Sequence, residues 1–164
     1  MVSSLQIRAA QPTDLPEILK LIRELAIFEE LEHQVVEDPD LLAEHLFGRQ
    51  PYAYVQIAEW EGAIAGYVLY FLTYSSFRKQ PSLYLEDLFV RPAYRRQGIA
   101  TALLRQLATI AVEQQCGRVE WAVLDWNQRA IAFYEGLGAK VLPDWRICRL
   151  EGSAIGNFAG ILTP

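Results

Sequence analysis

The sequence predicts a mixed α/β fold in which helices cover both faces of one sheet. Runs of aromatic and β-branched residues, each as long as a strand, alternate with stretches in which apolar residues recur every three or four positions. One run, residues 119–124, lacks the alternation of a half-exposed strand, which indicates a strand covered on both sides. The predicted order of elements is β-α-α-β-β-β-α-β-α-β-β.

Seven strands and four helices make up this order. The predicted strands are residues 5–8, 52–60, 63–72, 84–90 and 119–124, followed by strand-like segments near Val141 and at 145–150. The predicted helices open at Thr13 or Asp14, after Asp38-Pro39, at Arg95 and at Asn127. The first helix has a continuous apolar stripe, which consists of Leu15, Ile18, Leu19, Ile22, Leu25 and Ala26.

Turn and cap residues set the limits of these elements. Glu61-Gly62 separates two strands as a hairpin turn. The strand at 84–90 ends before Pro92, because proline cannot continue a ladder. Asn127 caps the last helix, which stops at Gly138.

Composition limits the class of protein. The chain has 164 residues, of which 52% are hydrophobic and 21% charged, so we predict a single domain over residues 1–164. Two cysteines without metal-binding spacing indicate free thiols in a reducing compartment. Since no signal-peptide pattern and no apolar run of membrane length occurs, we expect a cytoplasmic protein with no metal and no membrane partner. The net charge of −5 disfavours nucleic acid and suits a cationic small molecule, although solubility alone would also explain it.

The third helix begins without a capping side chain. Its start reads Arg95-Arg96-Gln97-Gly98-Ile99-Ala100. The N–H groups from Gln97 to Thr101 therefore need another partner, and the small residues Gly98 and Ala100 would let a pyrophosphate approach the backbone. The glycine spacing alone is equally typical of an ordinary strand-turn-helix connection. It matches neither a P-loop nor the dinucleotide-binding fingerprint.

These residues resemble a known family. The hexapeptide is similar to the (Arg/Gln)-x-x-Gly-x-(Gly/Ala) motif of the GCN5-related N-acetyltransferases, the GNAT superfamily. Residues 84–90, 125–127 and 130–139 flank it in the order and spacing of the branch that contains spermidine/spermine and thialysine acetyltransferases. The resemblance extends over residues 6–159. It implies a mostly antiparallel, twisted sheet of about six or seven strands.

The resemblance also implies acetyl-coenzyme A as the acetyl donor. In the family the motif holds the pyrophosphate, and the end of the preceding strand holds the thioester and pantetheine after a bulge, where two central strands splay apart. The implied cofactor-binding residues are Leu88, Phe89, Val90, Arg95, Arg96, Gln97, Gly98, Ile99, Ala100, Thr101, Asn127 and Ala130.

Acetylation of an amine needs a base, because an aliphatic amine with a pKa of about 10.4 is only about one part in a thousand neutral at physiological pH. Glu86 and Asp87 are adjacent in an apolar strand, so in a regular strand one of them faces inward. The resemblance implies Glu86 as the base, acting through water from a buried position, and Asp87 as a partner of the cationic amine.

The departing thiolate needs an acid. Tyr134 matches the general acid of the family, but it also lies on one helical face with Ala130 and Leu137, where an aromatic side chain is usually part of the core.

The substrate site is less clearly indicated. Glu29 continues the inward stripe of the first helix, and its partner is either a substrate ammonium or an internal arginine such as Arg23 or Arg78. The branch resemblance favours the substrate and adds Trp126 to the predicted substrate-binding residues. Polyamine-acetylating members carry an acidic residue and a tryptophan in the loop after Thr73-Tyr74, where this chain has Ser75, Ser76 and Phe77. That departure favours a shorter amine.

We therefore expect acetyl transfer from acetyl-coenzyme A to a small primary amine, namely a diamine, a polyamine or a thialysine-like compound, in a ternary complex. The alternatives are acetylation of a protein amine and a non-catalytic coenzyme A sensor. The resemblance also implies a homodimer that covers the edge strand at 146–150. A monomer whose segment 153–161 folds back as a helix is the alternative.

Overall fold

A computed structural model describes residues 5–160, which form two compact units divided between Ala122 and Val123. The elements of the first unit are β1 (Leu5–Ala9), α1 (Leu15–Phe28), α2 (Pro39–Phe47), β2 (Tyr54–Trp60), β3 (Ala63–Ser75), β4 (Gln80–Val90), α3 (Ile99–Glu113) and β5 (Val119–Trp121). Those of the second unit are α4 (Gln128–Gly136) and α5 (Ser153–Phe158). Short 3-10 turns occupy Pro12–Asp14, Glu32–Gln34 and Pro92–Tyr94.

The sheet of the first unit has the order β1-β2-β3-β4-β5. The first four strands pair antiparallel with their neighbours, whereas β5 runs parallel to β4. The predicted mixed, mostly antiparallel sheet is therefore confirmed. The parallel pair extends only from Leu83 to Leu85 on β4, so the last five residues of β4 continue beyond the pairing with β5.

Apolar side chains cover both faces of this sheet, as predicted. On one face α3 contributes Ile99, Leu103 and Leu107, which pack with Val68 and Leu83. On the other face Ile18, Leu21 and Leu25 of α1 pack with Ile57 and Phe89. Because successive strand residues point to opposite faces, Tyr67 belongs to the α1 side and Val68 to the α3 side.

The strands predicted near Val141 and at 145–150 are not formed. Five strands occur among residues 5–160, rather than six or seven. Apolar and β-branched residues favour a strand, but a strand also needs a neighbouring ladder, and sequence propensity does not supply one. The predicted strand at 119–124 likewise ends at Trp121.

The C-terminal helix α5 falls where the alternative prediction placed a helix at 153–161, although residue 161 lies outside the described part. The helix predicted from Arg95 begins at Ile99. Arg96 and Gly98 have φ of 64° and 77°, and these left-handed conformations cannot be part of a right-handed helix.

Candidate active site

A β-bulge in β4 shapes the site. Leu85 lies opposite Tyr70 and Asp87 opposite Leu69, so Glu86 is an extra residue without a partner in β3. The extra residue reverses the alternation of side chains. Leu85 therefore packs in the core on the α3 side, whereas Asp87 lines a cleft beside α1.

The carboxyl group of Asp87 is held from inside the protein. The hydroxyl of Tyr67, which is completely buried, donates a hydrogen bond of 3.0 Å to Oδ2 of Asp87. Burial raises the pKa of Asp87 to about 6, against the opposing effect of this hydrogen bond. The negative charges of Glu86 and Glu29 also contribute to this raised value.

The burial that we expected for Glu86 falls on Asp87 instead. Glu86 is exposed and Asp87 is half-buried. The expectation assumed a regular strand, in which neighbouring residues face opposite sides. The assumption does not hold in the bulged strand. The two carboxylates are close enough for the charge of Glu86 to raise the pKa of Asp87.

Asp87 lines a cleft of about 700 Å³. Apolar side chains of α1, α2 and the loop between them form most of its wall, and they include Leu19, Ile22, Leu25, Leu31, Val35 and Leu42. Glu29, the residue directly after α1, also lines the cleft. Desolvation raises the pKa of Glu29. Two carboxylates with raised pKa values thus share a largely apolar cavity.

Neither internal arginine that we considered as a partner of Glu29 pairs with it. Arg23 forms an ion pair with Glu37 at the wall of the same cleft. Within residues 5–160, neither Glu29 nor Arg78 makes an ion pair. The inward position predicted for Glu29 is therefore observed, and its carboxylate has no cation from the described part of the chain.

The start of α3 forms an open backbone cradle. Gly98 occupies the N-cap position with φ of 77°, and no side chain caps the helix. A Cβ atom at Gly98 would meet no protein atom within 4 Å. The N–H groups of Ile99, Ala100 and Thr101 have no acceptor within the helix, because the first turn of any helix lacks one. This geometry fits an anionic group such as a pyrophosphate.

The side chains around the cradle differ in their environment. Arg96 and Gln97 are exposed, whereas the side chain of Ile99 is buried in the core, so Ile99 offers only its backbone. Arg95 is fixed against the sheet. Its Nε donates to the carbonyl of Val90 at 3.0 Å, and its guanidinium lies 5.1 Å from the ring centroid of Phe28.

The end of β4 presents backbone groups on its outer side. The N–H of Arg91 donates to the carbonyl of Ala65 at 2.9 Å, which makes Val90 and Gly66 a non-hydrogen-bonded pair of the ladder. By alternation, the N–H and C=O groups of Leu88 and Val90 point away from β3. The backbone groups of Phe89 point toward β3, opposite Tyr67. Leu88 and the N–H of Val90, whose carbonyl accepts from Arg95, therefore offer backbone groups beyond the end of β5, and Phe89 does not.

Arg91, the residue directly after β4, links the end of β4 to α1. Its guanidinium donates to Glu24 and Glu17, both on α1, and to the carbonyl of Ile64 at 2.9 Å. Sequence reasoning missed both Arg91 and Tyr67 as contributors to the site. Their partners lie far away along the chain, and no motif indicates them.

In the second unit, Asn127 caps α4 as predicted. Its side-chain oxygen accepts a hydrogen bond of 3.2 Å from the N–H of Ala130. Tyr134 is half-buried in the middle of α4, with its ring centroid 5.4 Å from that of Phe133. Trp126, just before the cap, is 56% exposed.

Residues 5–160 contain neither a cluster of metal ligands nor a helix of membrane length. None of these residues forms a group of three or more His, Cys, Asp or Glu side chains suited to a metal ion. No helix among them has both the length and the apolar character required to span a bilayer.

Comparisons with known proteins agree on one family. Residues 16–139 match the acetyltransferase (GNAT) family. A thialysine N-epsilon-acetyltransferase of Mus musculus is 38% identical over 170 residues, covering 97% of this chain and 99% of that protein. An L-ornithine N5-acetyltransferase of Arabidopsis thaliana is 36% identical over 195 residues, covering 92% and 86%.

A solved structure of an integron cassette protein from V. cholerae has the same fold. It superposes with a TM-score of 0.81 at 24% identity and covers 95% of this chain and 98% of that one. The bulged strand, the uncapped helix start and the sequence matches lead to one conclusion. This chain belongs to the GNAT family, in the branch that includes the thialysine N-epsilon-acetyltransferases, and it is an N-acetyltransferase.

Proposed function

We propose that this protein transfers the acetyl group of acetyl-coenzyme A directly to a small primary amine, with both substrates bound at the same time. The observation that carries the proposal is the pair of carboxylates, Glu29 and Asp87, in one apolar-walled cleft beside the end of β4. An ammonium group complements them in charge. It would also relieve the cost of holding two acidic groups in a partly desolvated cavity.

The same bulge supplies the base. Glu86 is exposed and adjacent to Asp87, so it is able to accept a proton from the amine through water and pass it to solvent. Asp87 holds the amine while the proton leaves. With its pKa at about 6, Asp87 is mostly ionised at pH 7.

Acetyl-coenzyme A would bind along the end of β4 and the start of α3. The N–H groups from Gln97 to Thr101 and the exposed Arg96 would hold the pyrophosphate, and the helix dipole favours an anion there. The backbone groups of Leu88 and the N–H of Val90 would hold the pantetheine and thioester. We also assign Asn127 and Ala130 to the cofactor and Trp126 to the substrate, as the family resemblance implies.

The transfer itself needs one bond to form and one to break. The lone pair of the neutral amine attacks the thioester carbonyl carbon, the new C–N bond forms, and the C–S bond breaks. The coenzyme A thiolate then takes a proton, and we assign Tyr134 as its donor. The amine proton leaves through Glu86, so the reaction is balanced without any further reactant.

Two of the relatives support a short amine substrate. Their names specify thialysine and L-ornithine, both small compounds with a primary amine at the end of a side chain. In this chain Phe77, in the turn after β3, is 99% exposed. Neither it nor its serine neighbours supplies the charge that a long polyamine would need.

The test is a turnover assay with acetyl-coenzyme A over diamines, polyamines, ornithine, thialysine and lysine-containing peptides. Release of free thiol and the mass of each acetylated product are both measured. We expect the highest kcat/KM for a short diamine or an amino acid with a side-chain amine. A preference for peptides would favour a protein substrate. Binding of acetyl-coenzyme A without turnover on any amine would favour a sensor and overturn the proposal.

A further inference from the structure

Tyr67 lies beneath the cleft without lining it. Its side chain is completely buried, and its hydroxyl reaches Oδ2 of Asp87 at 3.0 Å. Tyr67 is opposite Phe89 in the ladder, and Asp87 precedes Phe89 by two residues, so Tyr67 and Asp87 are diagonal neighbours on one face of the sheet. The hydrogen bond therefore connects the core of the sheet to a carboxyl group that lines the cleft.

We propose that Tyr67 is a positioning residue of the amine site, whose buried hydroxyl keeps Asp87 ionised and turned toward the cleft beside Glu29. The inference rests on the proposed function, because Asp87 is the same carboxylate that would hold the amine. It goes further by assigning a role to a residue that makes no contact with the substrate.

The groups around Asp87 show why the hydroxyl matters. Glu86 on its own strand and Glu29 at the end of α1 are both acidic, and both raise the pKa of Asp87. The cations on the cleft wall are engaged elsewhere, since Lys20 binds Glu17 and Arg23 binds Glu37.

The nearest strand and loop groups do not replace the hydroxyl. Phe89, the next residue of β4 on this face, is apolar, and Arg95 lies over its ring with Nε bound to the carbonyl of Val90. Among residues 5–160, Tyr67 is the one group that the structure shows lowering the pKa of Asp87.

Removal of the hydroxyl would change the charge of the site. Without the hydrogen bond the pKa of Asp87 would rise further above its ordinary value, because burial and the two acidic neighbours would be unopposed. A protonated Asp87 does not balance the charge of an ammonium group. The carboxyl group would also be free to rotate away from the cleft.

The test is Tyr67→Phe, which keeps the buried ring and removes only the hydroxyl. Well below pH 6 we expect the KM of the amine to rise by about 10-fold, because a pKa raised by about one unit lowers the ionised fraction of Asp87 by that factor there, whereas at pH 7 the rise should be only about two-fold. The KM of acetyl-coenzyme A should change by less than about two-fold. The acidic limb of the kcat/KM profile for the amine should move upward by about one pH unit.

Tyr70→Phe is the matched control. Tyr70 is also a buried tyrosine of β3, but it belongs to the core on the α3 side. Its variant removes the same atom from the same strand, and we expect the pH profile of the wild-type protein. If both variants shift the profile alike, the effect is a general consequence of core damage and the proposal is wrong.

A double variant tests whether Tyr67 acts through Asp87. In an Asp87→Asn background, Tyr67→Phe should change the amine KM by less than about two-fold, and independent effects of the two substitutions would overturn the inference. Carbon-13 NMR titration of Asp87 in the wild-type protein and in Tyr67→Phe needs no turnover. An unchanged pKa would refute the role of Tyr67 even if no amine proves to be a substrate, so this failure is distinguishable from failure of the proposed function.

Discussion

Asp87 is the residue in which burial and charge conflict most directly. Its pKa of about 6 lies above the ordinary value of 3.8, so the folded protein favours the protonated form. The stabilising effect of that preference is fully present below about pH 4 and is lost as the pH rises through 6. Ionised Asp87 therefore lowers the stability of the folded protein at neutral pH. This cost is expected of a functional group.

Asp87→Asn should stabilise the folded protein at pH 8 and leave stability at pH 4 almost unchanged. The introduced asparagine is neutral, and its side-chain oxygen still accepts the hydrogen bond from Tyr67. A pKa shift of this size corresponds to on the order of 2–3 kcal/mol. Urea unfolding at both pH values measures the difference.

Glu86→Gln is the control for Asp87→Asn, because Glu86 is the adjacent carboxylate but is exposed. We expect little change in stability from it at pH 4 and a smaller stabilisation than that of Asp87→Asn at pH 8, because Glu86→Gln removes only one of the causes that raise the pKa of Asp87. Equal stabilisation by both variants, or a loss of stability in Asp87→Asn at pH 8, would contradict the claim that ionised Asp87 lowers the stability of the folded protein.

Tyr134 carries the second prediction at this scale. Tyr134→Phe removes one hydroxyl, and if that hydroxyl protonates the thiolate, kcat should fall on the order of 10²-fold or more with near-normal KM values. Steady-state kinetics with the best amine measures this. An unchanged kcat would show that Tyr134 is not the acid.

At the scale of residues, sequence reasoning grouped Glu29, Glu86 and Asp87 at the substrate site, which stays a prediction, and it assigned the burial to the wrong carboxylate. Adjacency and alternation decide the face of each residue only in a regular strand. One extra residue in β4 exchanges the faces, and the bulge depends on pairing with β3. Tyr67 was missed because it contacts Asp87 only when the bulge turns Asp87 toward it.

Among the elements, the start of α3 is the best test of cofactor binding. Gly98→Val places a branched side chain where we expect the pyrophosphate. We predict that the KM of acetyl-coenzyme A rises on the order of 10-fold or more, while the KM of the amine changes little. Steady-state kinetics with each substrate varied in turn separates the two effects.

Gly62→Val is a closely matched control for Gly98→Val. Gly62 has φ of 83° against 77° for Gly98, and a Cβ atom at either position meets no protein atom within 4 Å. Both variants should therefore carry a similar backbone strain of roughly 1–3 kcal/mol. Because Gly62 lies in the turn between β2 and β3, its variant should keep both KM values. A rise of the acetyl-coenzyme A KM in both variants would mean that strain, not the cradle, is responsible.

The elements themselves were predictable where local signals agree with the packing. The cap of α4 by Asn127 and the turn at Gly62 each have a short-range cause, and each is observed. The predicted stripe of α1 is correct for Ile18, Leu25 and Ala26 but missed Leu21, which is completely buried. The prediction of strands near residue 141 and at 145–150 was wrong. Their apolar residues have the propensity for a strand, but they have no neighbouring strand to pair with. The pairing of β5 with β4 over only three residues also depends on long-range contacts.

For the whole molecule, the basis for a dimer has changed. The strand at 146–150, which we expected a dimer to cover, does not form. Large apolar side chains nearby are nevertheless exposed. Trp145 is 79% exposed, Ile147 75% and Phe158 86%. Exposed apolar groups of this size are typical of interaction surfaces. The homodimer, the single-domain organisation and the cytoplasmic location stay predictions.

Light scattering at micromolar concentration tests the dimer. We expect a mass near twice 18.7 kDa, and a lower mass for Trp145→Glu, because a charge at that position would disfavour burial. A mass of 18.7 kDa at every concentration and with either substrate present would show that the exposed apolar residues do not join two copies.

Direct transfer to a bound amine is the central claim, and initial-velocity kinetics with both substrates varied tests it most directly. If acetyl-coenzyme A and the amine occupy the cradle and the cleft together, double-reciprocal lines at different amine concentrations should intersect. No acetylated protein should accumulate when the amine is left out. Parallel lines, together with an acetyl group bound covalently to the protein, would contradict the account.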